Sequence, residues 1–135
     1  MLFKINHSVP ANTTALNPNW QKLKIAQGTI TEWLVHMPEE CADLMQFRVE
    51  RNNVHIFPFT GSVWMYGIFE PTVIKDNLPI DAAPYVLDIY AFNLDDSYSH
   101  EYNIHVNIEP KETVTVPEEG VEGIWDRLKG IIGVE

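Results

Sequence analysis

The chain has 135 residues, 19 acidic against 9 basic side chains, a formal net charge of −10 and one cysteine. Its length suits a single domain with a core of its own; the lone Cys41 excludes an internal disulfide framework, and the scattered Lys and Arg speak against binding a phosphate backbone. No apolar run approaches the ~20 residues of a membrane span, and Met1 to His7 lacks the apolar core and cleavage site of a signal peptide.

Without a secretory route, Asn6-His7-Ser8 and Asn12-Thr13-Thr14 are expected to be accidental glycosylation triplets. Lys22 and Lys24 are the nearest approach to a basic patch, and Cys41 is expected to be an inert core or loop residue.

Phe3, Ile5, His7 and Val9 alternate with Lys4, Asn6 and Ser8, which predicts a first strand ended by Pro10. Ala11 to Asn19 reads as a loop, and Gln21 to Ala26 as a second strand with Leu23 and Ile25 opposite Lys22 and Lys24. Thr29 to Met37 is apolar on both faces (Ile30, Trp33, Leu34, Val35, Met37), which places it centrally in a sheet. Leu44 to Glu50 alternates again, and Arg51-Asn52-Asn53 turns the chain into Val54 to Phe57 as a hairpin.

Pro58 to Pro71 has no clean period and carries Phe59, Trp64, Met65, Tyr66, Ile68 and Phe69. Two readings stand: a loop with a short strand closing the open end of the body, or an aromatic contact surface made by Trp64, Tyr66 and Phe69. Thr72 to Lys75 is expected to be a short edge strand and Asp76 to Pro84 a loop. The strongest signal follows. Tyr102, Ile104, Val106 and Ile108 alternate with Glu101, Asn103, His105 and Asn107, and Val86 to Asn93 is rich in β-branched and aromatic residues. With Leu94 to Ser99 as a polar turn, the two segments are expected to form a long hairpin.

Strands of this number, with turn signals roughly every 8 to 12 residues, predict a mainly β fold: an antiparallel β-sandwich or jelly-roll-like barrel. Residues 1–110 form this body, including an N-terminal arm. Residues 111–135 read as a linker and a C-terminal amphipathic helix. There Val121, Ile124, Trp125, Leu128, Ile131 and Ile132 recur at helical spacing, Thr115 and Glu118 fit a capping box, and acids precede Arg127 and Lys129. Gly120, Gly123 and Gly130 weaken the helix. Its stripe therefore needs a partner, either the chain's own body or a neighbouring subunit.

The five histidines are scattered, and His100 and His105 point to opposite faces of one strand, which forbids a shared metal. Asp95-Asp96 lacks the spaced ladder of a calcium loop and reads as turn chemistry. No phosphate loop, nucleophile elbow or Ser/His/Asp arrangement is evident. No cofactor or metal is expected, and an enzyme is the weakest of the function classes.

The segments Pro10-Ala11-Asn12-Thr13-Thr14, Gly28-Thr29-Ile30-Thr31, Pro38-Glu39-Glu40-Cys41-Ala42-Asp43-Leu44, His55-Ile56-Phe57-Pro58 and Ala91 to His100 resemble small β-sandwich virion proteins of tailed bacteriophages. That resemblance implies a capsid decoration or cement protein assembled in the host cytoplasm, a homo-oligomer bound to the major capsid protein or another virion protein, without nucleic acid or membrane as partner. The alternative is a carbohydrate- or receptor-binding module of a tail or head fibre, with Trp64, Tyr66 and Phe69 as its stacking surface.

Overall fold

Period-two alternation of apolar and polar side chains builds eight strands: β1 (Leu2–Val9), β2 (Asn19–Lys24), β3 (Gly28–His36), β4 (Met45–Arg51), β5 (Val54–Phe57), β6 (Thr72–Ile80), β7 (Val86–Asn93) and β8 (His100–Glu109). The computed structural model describes residues 1–59 and 63–110. Two four-stranded antiparallel sheets result, ordered β1-β8-β3-β6 and β2-β7-β4-β5. As expected from its apolar faces, β3 is an inner strand, between β8 and β6. The C-terminal stripe (Val121, Ile124, Trp125, Leu128, Ile131, Ile132) and the helix expected to carry it lie outside the described residues.

The sheets share one core through an aromatic run that crosses between them. Trp33 of β3 stacks on Phe57 of β5 at 4.7 Å between ring centroids. Phe57 stacks on Phe47 of β4 at 6.1 Å, and Phe47 on Tyr102 of β8 at 5.8 Å. His7 of β1 tilts against Tyr102 at 6.0 Å. Each such pair adds about 0.5–1.5 kcal/mol beyond area burial. Ile30 and Trp33 are three residues apart and would face opposite ways in a regular strand, yet both are buried. A bulge at Thr31, where pairing to β8 jumps from Ile30↔Ile108 to Glu32↔Asn107, turns both inward.

Several expectations are corrected. Val86–Asn93 and His100–Glu109 do not form a hairpin: β7 pairs with β2 and β4, whereas β8 pairs with β1 and β3 in the other sheet. The six residues Leu94 to Ser99 arch over the ~10 Å between sheets, a path that a two-residue hairpin turn would forbid. Buried Asn93 holds the arch, its Nδ2 donating to the carbonyls of Val9 (3.1 Å) and Tyr98 (2.9 Å) while its Oδ1 accepts from the Asp95 N–H (3.1 Å).

The edge strand starting at Thr72 runs on to Ile80, so Asp76 to Ile80 is strand and not loop. Pro79 is tolerated there because β6 pairs on one side only. In place of a closing strand, the described part of Pro58 to Pro71 makes one bridge, Met65 N–H to Phe47 C=O (2.7 Å) and its return bond (3.1 Å). The second strand begins at Asn19, two residues earlier than expected. The N-terminal segment is no free arm, since Leu2 to Val9 pairs along its length with β8.

Candidate binding face

The two outward faces differ in chemistry. On the first sheet the outward row of β8 is Glu101, Asn103, His105 and Asn107, beside Lys4, Asn6 and Ser8 of β1. This is what a solvated face of this chain looks like. On the second sheet the outward positions of β2, β7 and β4 carry aromatic rings among charges.

Register places these side chains in rows. Trp20 lies opposite Tyr90, and Tyr90 opposite Arg48. The next row is Lys22, Asp88 and Glu50, and the row on the other side pairs Phe92 with Gln46. The Met65 bridge to Phe47 continues the sheet past the end of β5 and brings Trp64 over this face.

Trp64 meets Phe92 edge-on at 4.8 Å. The Arg48 guanidinium lies 4.8 Å from the Trp64 ring centre and 5.4 Å from that of Tyr90, and pairs with Glu50 at 3.2 Å. The Trp20 Nε1–H donates to Asp88 Oδ1 at 3.0 Å, and Lys22 Nζ stands 4.8 Å over the same ring. Burial, then the Glu50 and Asp88 carboxylates, push the Tyr90 hydroxyl above its ordinary pKa, so it remains a hydrogen-bond donor at neutral pH. Trp20 is about half exposed (49%).

Of the residues singled out for a contact surface, Trp64 joins this face. Phe69 lines a separate open depression with Glu39, Gly67, Ile68, Glu70 and Thr72, next to the end of β3, where the Met37 N–H donates to the Ile68 carbonyl. Tyr66 is exposed, and among the described residues no ring pairing links it or Phe69 to Trp64. Sequence reasoning missed Trp20, Tyr90 and Arg48. For Arg48 and Tyr90 the signal was present in the alternation itself, since each occupies the outward position between buried neighbours, Phe47 and Val49 or Ile89 and Ala91; Trp20, between the polar Asn19 and Gln21, had no such signal.

The remaining polar groups hold structure. Asp95 Oδ1 accepts the N–H groups of Ser97 (2.9 Å) and Tyr98 (3.1 Å), and its Oδ2 accepts from His100 Nε2 at 2.8 Å. Turn chemistry thus accounts for Asp95 and for His100 together. Cys41 is fully buried, and burial pushes its thiol up, away from the reactive thiolate. Among the described residues no three of His, Cys, Asp and Glu gather into a metal-holding group, and no helix is long and apolar enough to cross a membrane. Comparison with protein-family models, curated proteins and solved structures gives no match.

Proposed function

We propose that this chain is a structural protein of a tailed-phage virion, a capsid decoration or cement protein that binds the major capsid lattice through self-association and its C-terminal segment. The observation that carries this reading is the strand order. β1-β8-β3-β6 facing β2-β7-β4-β5 is the order of an eight-stranded jelly roll, two Greek keys wound together, an architecture that viral capsid domains use repeatedly. The resemblance of the turn segments to small β-sandwich virion proteins points the same way.

The groups with chemical potential favour a binding role over a catalytic one. The Cys41 thiol is buried, and the His100 ring and Asp95 carboxylate are committed to the β7–β8 arch. The C-terminal amphipathic stripe belongs to this proposal as the element that docks on a neighbouring subunit.

Two measurements test it. Mass spectrometry of gradient-purified particles should find peptides of this chain at a fixed ratio to the major capsid protein, and their absence overturns the virion assignment. Light scattering on the full chain and on a chain ending at Pro117 should show a discrete oligomer that becomes monomeric on truncation; a monomer in both overturns self-association through the C-terminal segment.

A second reading, a carbohydrate- or receptor-binding module of a head or tail fibre, is favoured by one observation, the aromatic outer face of the second sheet. The site for it centres on Trp20, Tyr90, Arg48 and Trp64.

A further inference from the structure

The outer face of β2-β7-β4 is built for a ligand of small footprint, and we infer that it binds a neutral oligosaccharide of two to three pyranose rings, with Trp20 and Tyr90 as the stacking platform and Asp88, Glu50 and Lys22 as hydroxyl partners. This deepens the carbohydrate-binding reading only; it does not depend on whether the chain belongs to a virion.

Size argues for it first. Strands ~4.8 Å apart and rows two residues apart make the patch of three strands and three rows about 10 by 13 Å. Such an area is far below the roughly 800 Å² per partner of a stable protein interface, but it matches a short saccharide lying flat.

Composition argues next. Trp20 lies directly beside Tyr90, but the next row is Lys22, Asp88 and Glu50, and Arg48 stands between Tyr90 and Trp64, so the aromatic area is narrow and bordered by charges. Docking an apolar protein surface there would strip water from four charges at once. A pyranose instead offers both chemistries in one molecule. Its C–H face, made slightly positive by the ring oxygens, lies on the electron-rich face of an indole or phenol, while the hydroxyls at its rim bond to carboxylates and ammonium groups. The Asp88 carboxylate already orients the Trp20 indole through the Nε1–H bond at 3.0 Å, which fixes the platform before the ligand arrives.

Charge decides the class of sugar. Glu50 is paired with Arg48 and Asp88 stands beside Lys22, so the face has no uncompensated cation to hold an acidic glycan, and the chain's net charge of −10 disfavours one further.

The full chain, probed on an array holding neutral, sialylated and uronic glycans, should be retained by neutral oligosaccharides alone. Trp20→Ala should weaken that binding about tenfold or more with the melting temperature unchanged, because the ring is half exposed. Phe69→Ala, on the separate depression, should leave it intact. If Trp20→Ala does not fold, Asp88→Ala serves in its place, since it removes the hydroxyl acceptor and the platform's orienting bond together. Retention by no neutral glycan, a preference for acidic glycans, or binding that survives both substitutions overturns the proposal. A concentration-dependent dimer abolished by Trp20→Ala, with no glycan retained, overturns it and assigns the face to a second copy of the chain. Neither result bears on whether the chain is found in purified particles.

Discussion

At Gly28 the backbone of β3 passes so close to the end of β8 that a Cβ would stand 2.2 Å from the Glu109 carbonyl oxygen, at a φ of +152° that side chains avoid. Gly28→Ala should therefore lower stability by about 2 kcal/mol or more, measured as the shift in denaturant midpoint. Tyr102 presents the opposite situation. Its ring is central to the core, but its buried hydroxyl finds no partner among the described residues, and burial raises its pKa above the ordinary value. Tyr102→Phe removes an unpaired polar atom and should leave stability unchanged or raise it by about 1 kcal/mol; a clear loss would show that the hydroxyl is bonded. At Asp95, the Ser97 N–H, then the His100 ring and the Tyr98 N–H, hold the carboxyl below the usual carboxylate range. A group with a depressed folded pKa stabilises the fold above its unfolded value of about 3.9 and loses that contribution as pH falls toward the folded value. Unfolding midpoints compared at pH 6 and pH 3 should therefore fall less in Asp95→Asn than in the parent chain.

Among the elements, the β7–β8 arch separates what the sequence made legible from what it did not. Alternation in His100 to Glu109 identified the strand and its buried face, and Tyr102, Ile104, Val106 and Ile108 are buried as expected. Alternation carries no information about which neighbour a strand takes, because either sheet offers the same buried side. The partner is set by Asn93, whose three side-chain bonds tie β7 to the end of β1 and to the arch. Asn93→Leu should consequently cost about 2 kcal/mol, since it strands the buried Val9 carbonyl and removes the partners of the half-buried Tyr98 carbonyl and Asp95 N–H. The β4–β5 hairpin was legible for a local reason: Asn52 and Asn53 take φ of 51° and 64°, the left-handed geometry of a two-residue turn that asparagine accepts more readily than most residues. Strand β6 was only half legible, because Pro79 and Asp76 read as loop residues. In the fold Pro79 uses the edge position, and Asp76 Oδ2 accepts the Trp33 Nε1–H at 2.9 Å. The outer face of the second sheet escaped notice because its side chains, Trp20, Arg48, Trp64 and Tyr90, are spread along the sequence and meet only through cross-strand register.

Across the described residues, the outer face of β1 and β8 is a wetted, amide-rich surface, whereas that of β2, β7 and β4 is a surface of rings and paired charges. That asymmetry is what a protein resting one side against a partner or ligand would show. The topology also has a consequence in time. Among the described residues, only β4 and β5 of the consecutive strand pairs are neighbours in a sheet; β1 must wait for β8, almost the full length of the body away. Pairing of this kind closes long loops before any contact rewards it, so folding should fall in the slow, millisecond-to-second range of non-local β proteins. The Asn52-Asn53 turn is the one place where a native pairing can form early. Replacing both asparagines with alanine should therefore slow refolding by nearly the full loss in stability, with little change in the unfolding rate, in stopped-flow measurements. During synthesis, β1 emerges long before its partner and stays unpaired until about a hundred residues have followed. Its outward Lys4, Asn6 and Ser8 then serve a purpose in that interval: polar side chains on an unpaired strand discourage copies of the nascent chain from joining edge to edge.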